Sequence, residues 1–206
     1  MKKLSIEKLK NLYTTQGKSA QEISRMIGCS EHGINYWLRV YRIKKRTISE
    51  AIYLKNNPNG DPFRIKKDLT TDEQNLLGLG LGLYWGEGNK KSKTAVRLGN
   101  SDPKLIRTFR EFLVKICNVK DEKIKYNLLL FNDADERSAI NFWGKELGYS
   151  SNRIGSVTSL KPRGKGNYKK KSMTGVLMIE FNNIKLKKEV DAMLDDNMRR
   201  VLKLPG

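Results

Sequence analysis

The run Leu76-Leu77-Gly78-Leu79-Gly80-Leu81-Gly82-Leu83-Tyr84-Trp85-Gly86-Glu87-Gly88 constrains this chain more than any other stretch. It is the one strongly apolar run, and glycine recurs through it densely. Gly78, Gly82 and Gly86 stand at i, i+4 and i+8, so on a helix they share one face. Each glycine inside a helix costs about 1 kcal/mol relative to alanine. The expected offset is the close approach of another backbone along the bare face, as small-residue stripes allow between paired helices. Thr70 or Thr71, with Asp72 and Glu73, supplies an N-cap and an acidic first turn. Glu87 and Gly88 close the helix. So many glycines suggest a dinucleotide fold, but GxGxxG fails in every frame, because Gly78 and Gly80 demand a glycine at Leu83 and Gly80 and Gly82 demand one at Trp85. No GK[ST] follows, so a phosphate-binding P-loop is excluded too.

Charge identifies the class of partner. Lys and Arg number 41 against 22 Asp and Glu, a formal net charge of +19 over 206 residues. A balance that basic calls for a polyanion, with nucleic acid foremost. No amphipathic anchor or lipidation motif points to a membrane, and the Leu76–Trp85 run is too short to span one. Met1-Lys2-Lys3 is not followed by an apolar signal core, so a cytoplasmic, nucleoid-associated protein is expected. Cys29 and Cys117 lack a CxxC partner and read as small buried apolar residues of a reducing compartment. With His32 the single histidine, most histidine-based zinc sites and Ser-His-Asp machinery are excluded. Any chemistry would run on carboxylates, lysines and a hard metal, without a small-molecule cofactor.

The N-terminal segment, residues 1–48, predicts three short helices. The first carries Ile6, Leu9, Leu12 and Tyr13 and stops near Gly17. The second is capped by Ser19 and carries Ile23, Met26 and Ile27. The third follows Gly28-Cys29-Ser30 and carries Ile34, Trp37, Leu38 and Tyr41. The stretch from Ile23 to Leu38 resembles a helix-turn-helix of the resolvase or homeodomain-like type. Ser24 lets the helices approach, Gly28 takes the turn and Ser30 caps the next helix. Glu31, His32, Asn35, Tyr36 and Arg39 are left facing outward as candidate DNA contacts, with Asn35 and Arg39 the best suited to base edges. Arg42, Lys44, Lys45 and Arg46 follow as candidate phosphate contacts.

Residues 49–68 read as a linker that includes one short helix, and 69–206 as a second domain. After Gly88 come a basic turn, a strand over Thr94–Gly99, and a helix opened by Asp102-Pro103. A strand over Lys123–Phe131 and a helix ending at Gly148 follow. Ser156–Leu160 and Val176–Phe181 are expected as a hairpin pair, before a final helix over Ile184–Leu204. Within this order, Gly80 to Gly88 resembles the LAGLIDADG motif of homing endonucleases. Gly86-Glu87-Gly88 stands where that family carries its acidic ending, and Trp85 stands at the first acidic position.

The resemblance covers about residues 70–200. It implies an α+β protein: a three-helix helix-turn-helix domain joined to an αββαββα-type domain with a saddle-shaped, mostly antiparallel sheet and an extra helix. It further implies a homodimer paired along Gly78, Gly82 and Gly86, with Glu87 as catalytic acid and Mg²⁺ ligand, and double-stranded DNA under the sheet. Lys90, Lys91 and Lys93, and the basic loop with Lys161, Arg163, Lys165, Tyr168, Lys169, Lys170 and Lys171, would meet phosphates. Arg97 and Lys125, on strands, would read bases. The function implied is Mg²⁺-dependent, site-specific DNA cleavage, and the alternative is a non-cleaving transcription regulator on the same scaffold. A basic RNA- or ribosome-associated protein is a third, more distant option.

Overall fold

The computed structural model describes residues 4–131, 134–150, 153–160 and 172–203. The chain forms two compact units, Met1–Pro62 and Phe63–Gly206, and is α+β, with eight α-helices and a four-stranded mixed sheet among the described residues. No helix among them is long and apolar enough to cross a membrane.

The first unit contains α1 (Ile6–Lys10), which widens into a π turn over Asn11–Thr15, then α2 (Ala20–Ile27), α3 (Glu31–Val40) and α4 (Ile48–Asn56). Leu9, Leu12, Tyr13, Ile23, Ile34 and Leu38 form its core. Local chemistry sets the turns. Ser19 and Glu22 form a reciprocal capping box at the start of α2, which ties up two otherwise unpaired amides. Gly28 ends α2 with a φ of 72°, in the left-handed region that favours glycine. Ser30 then accepts from Gly33 N at 3.1 Å to open α3. Met26, expected on the core side, is 60% exposed, and Cys29 is exposed where burial was expected.

The second unit begins at Phe63. Arg64 N and Lys66 N donate to Cys117 O and Ile116 O, both at 2.9 Å, and Phe63, Ile65 and Leu69 pack on the core. Next come α5 (Thr71–Glu87), β1 (Ala95–Asn100), α6 (Pro103–Glu111) with a π turn over Phe112–Ile116, and β2 (Lys125–Phe131). Then follow α7 (Glu136–Leu147), β3 (Ile154–Leu160), β4 (Val176–Asn182) and α8 (Ile184–Leu202). The sheet order is β1-β4-β2-β3.

The expected hairpin of β3 with β4 does not form. β4 lies between β1 and β2, antiparallel to both, while β3 pairs parallel to β2 at the edge. The α7 crossover is long enough to return the chain parallel, which a short turn cannot do. β3 also suits an edge: Ser156, Thr158 and Ser159 are exposed.

Strand alternation divides the sheet. Val96, Leu98, Tyr126, Leu128, Leu177, Ile179 and Phe181 lie on one face and join the helices in the core. Trp143 of α7 is fully buried there, and its indole N–H donates to Thr174 O at 2.7 Å. Around Asp121 the carboxylate accepts a two-pronged contact from Arg110 at 2.8 and 3.0 Å, and a bond from the Tyr149 hydroxyl. Burial raises the Asp121 pKa, but those partners outweigh it and hold the group below its ordinary value. The Tyr149 ring lies beneath two guanidiniums, Arg110 at 4.7 Å and Arg153 at 4.8 Å, which ties α6, α7 and the start of β3 together.

Within α5 the glycine that permits close approach is Gly80. A methyl group there would lie 2.3 Å from Phe112 Cγ and 2.6 Å from its Cβ. Gly88, expected as a helix stop, has an extended φ of −71° rather than a left-handed one. It is needed because a methyl group would meet Tyr84 O at 2.3 Å. Gly80→Ala should therefore destabilise the protein by about 1–3 kcal/mol through overpacking. Urea unfolding monitored by circular dichroism measures this, with a lower midpoint expected than for wild type.

Candidate functional site

In the first unit the outward residues of α3 and the segment behind it form one groove. His32, Asn35, Tyr36 and Arg39 line it from the helix, and Arg42, Lys44 and Lys45 from the segment that follows. Leu38 and Ile43 complete the lining. The described lining holds four Lys or Arg side chains and no acid. Glu31, at the first position of α3, is exposed and outside the groove.

The groove has its shape because the chain turns sharply after α3. Arg42 N bonds Arg39 O at 3.0 Å and Ile43 N bonds Leu38 O at 2.9 Å. Arg42 takes up a left-handed φ of 53°, a conformation that costs a non-glycine residue about 1 kcal/mol. Tyr36 is 40% exposed and packs edge-on against Trp37, with centroids 5.1 Å apart, and Trp37 stacks on Tyr41 at 5.3 Å. The Arg39 guanidinium lies 5.9 Å from the centroid of the Tyr36 ring. An anion entering here would meet donors and cations, and an aromatic surface beside them.

Arg46 is placed differently from its neighbours. Its guanidinium donates to Gly17 O at 2.6 Å, Tyr13 O at 3.1 Å and Lys18 O, and lies 4.1 Å from the Tyr13 ring centroid. It closes the carbonyl end of the first helix, a structural use of a cation that its neighbours' charge run did not signal.

In the second unit Gly78, Gly82 and Gly86 are exposed, and a methyl group built on any of them meets nothing within 4 Å. Leu79 at 58% and Trp85 at 57% exposure flank them. Among the described residues the stripe therefore has no close neighbour, and the close contacts of this glycine run belong to Gly80 and Gly88. Glu87, the last residue of α5, is exposed. Beside it Lys90 donates to Trp85 O, and Asn89 Oδ1 accepts from the amides of Lys91 and Ser92, both at 3.1 Å. Lys90, Lys91 and Lys93 are all exposed on this turn.

The sheet face opposite the core carries Arg97, Gly99, Val176, Met178, Lys125, Asn127 and Leu129, each half-buried or exposed. Arg97 and Lys125 flank Glu180 in register, one on each neighbouring strand. Arg97 Nε lies 2.5 Å from Glu180 Oε2. Glu180 was not singled out from sequence, although the alternation of Val176, Met178 and Glu180 places it on this face. Lys161, Arg163, Lys165, Tyr168, Lys169, Lys170 and Lys171 lie outside the described residues. No three His, Cys, Asp or Glu side chains come together to hold a metal among the described residues.

The different placement of Arg46 has a measurable consequence. Arg46→Ala should cost about 2 kcal/mol of stability through the loss of charged hydrogen bonds, and Arg46→Lys should restore little of it, because an ammonium lacks the planar fork. Thermal melting of the three proteins tests this, against Lys45→Ala, which should melt with wild type. No family model, no curated protein and no solved structure matches the chain.

Proposed function

We propose that this chain is a sequence-specific double-stranded DNA-binding protein that works as a homodimer, with a helix-turn-helix in its first unit and a LAGLIDADG-like core in its second. The observation that carries this reading is the α3 groove, with four cations, an imidazole, an amide and a phenol and no acid among the described lining residues. Asn35 and Arg39 have the donors and acceptors suited to base edges, and Arg42, Lys44 and Lys45 suit the phosphates on either side. The net charge of +19 supplies the counterion release that drives such binding and makes it fall with salt.

The bare face of α5 supports pairing with a second copy. Leu79 and Trp85 leave apolar area in water beside glycines that let another helix approach. A two-fold axis along that face would bring two Glu87 carboxylates to the same end of the interface. Like charges at that spacing repel unless a cation lies between or beside them. One chain gathers no metal-binding group among its described residues, so Mg²⁺ would be held by Glu87 of both copies together with water and phosphate oxygens. Bound there, it would activate water and stabilise the leaving oxygen. Lys90, Lys91 and Lys93, next to Glu87 in the chain, would hold the backbone in place. A regulator that binds without cutting is the second reading, because the α3 groove needs nothing from Glu87.

Incubation with a randomised duplex library in Mg²⁺ separates the two. The wild type and Glu87→Gln should select the same sites, and only the wild type should cut them, with cutting stopped by a chelator. Selection by both proteins with cutting by neither leaves the regulator, and no selection by the wild type refutes the DNA reading.

Pairing has its own test. Gly82→Leu should abolish the dimer in sedimentation velocity while its circular dichroism stays that of wild type. An unchanged sedimentation profile would show that the stripe is not the interface.

A further inference from the structure

We infer that Glu180 is a positioning residue that fixes the Arg97 guanidinium for reading a guanine, an inference that depends on the duplex reading proposed above. Glu180 lies in the middle of a cross-strand row, with Arg97 opposite it on β1 and Lys125 opposite it on β2. It is 6% exposed on a face whose neighbouring positions are half-open. Its Oε2 lies 2.5 Å from Arg97 Nε, and its Oε1 accepts from the Asn182 amide. Arg97 Nε is itself buried and makes no hydrogen bond among the described residues, so its contact with Oε2 is an ion pair, and the Arg97 side chain remains 32% exposed.

Stability is a poor explanation for this arrangement. Burying a carboxylate has a desolvation cost, and a partly exposed ion pair gives little in exchange. A carboxylate also weakens attraction for phosphate. What the pair does supply is a fixed place for the guanidinium, held by charge beside Glu180. With Nε buried beside Glu180, the Nη groups remain to meet a base edge, and guanine O6 and N7 are the acceptors that match such a fork. Lys90, Lys91 and Lys93 are exposed, and their long flexible stems suit backbone contact instead.

The test compares full-length wild type, Glu180→Gln, Glu180→Ala and Arg97→Lys by selection from a randomised duplex library, then by titration against a selected site and a mixed-sequence duplex at several salt concentrations. Wild type should prefer G·C at one position per half-site. All three variants should lose about tenfold of that preference at the same position. The two Glu180 variants should bind the mixed-sequence duplex at least as well as wild type, because a negative charge has been removed. A merely structural Glu180 would instead lower both affinities together, and that result overturns the inference. So does retention of the preference by Arg97→Lys, which keeps the charge and loses the fork. Absence of any selected site for wild type refutes the duplex reading itself, a result separate from selection that survives in the variants.

Discussion

The contact between Gly80 and the Phe112 ring sets the rotation of α5, and much of the second unit follows from it. An α-helix turns about 100° per residue, so seating Gly80 inward also seats Leu77, Leu81 and Tyr84 toward the core. Leu81 and Tyr84 are indeed buried, and Leu77 packs against them. The same rotation carries Gly78 and Gly82 outward, about 200° away on either side, and leaves Leu79 and Trp85 in water. It also fixes the exposed end at which Glu87 stands, directly before the Gly88–Leu98 bridge that hands the chain to β1. A side chain at residue 80 would push the helix off the π turn and change which residues face out.

A second constraint concerns charge. Many of the acids are committed to the fold. Glu22, Glu50 and Glu73 complete capping boxes at the starts of α2, α4 and α5. Asp102 and Asp135 cap α6 and α7, and Asp121 binds Arg110 and Tyr149. Acids are favoured at helix N-termini because the dipole and the free amides both stabilise them. Spending carboxylates there fits an α3 groove with no acid among its described lining residues. Other cations are held by specific partners: Arg46, Arg110 and Arg153 by hydrogen bonds, Arg97 by an ion pair with Glu180, and Lys66, Lys115 and Lys187 by Glu73, Glu111 and Asp191. Lysines predominate among the exposed cations of the Lys90–Lys93 turn, as expected of a long, hydrated side chain.

Local chemistry was the legible part of this fold. The caps at Ser19, Ser30, Thr70 and Asp102, the turn at Gly28 and the alternation in β2 and β4 follow from neighbours a few residues away. The outward set on α3 is legible for the same reason, since helical periodicity alone separates Ile34 and Leu38 from Asn35 and Arg39. Contacts distant in sequence were not legible. The insertion of β4 between β1 and β2 depends on pairing across the whole unit, and an alternating strand carries no mark of its partner. The use of Arg46 depends on carbonyls about 28 residues earlier. Within the glycine run, spacing named the stripe at Gly78, Gly82 and Gly86. It could not show that Gly80, a position outside that stripe, is where α5 packs tightly against the Phe112 ring.

The three bare glycines therefore pose an energetic question that the described residues of one chain do not answer. In a helix interior each is less favourable than alanine by about 1 kcal/mol, or about 3 kcal/mol together, in a class of molecule whose whole stability is about 5–15 kcal/mol. Gly80 has a compensating contact in the Phe112 ring, and Gly88 has one in the Tyr84 carbonyl. Among the described residues, Gly78, Gly82 and Gly86 have none within 4 Å. Alanine at these positions would fit the monomer without a clash and would strengthen the helix. Burial of Leu79 and Trp85 against a second helix is of the right size to offset the loss, since full burial of one large apolar side chain contributes about 1.5–3 kcal/mol. The proposed pairing thus accounts for both anomalies of α5 together: the missing side chains give the partner helix room, and the exposed apolar ones give it a reason to bind.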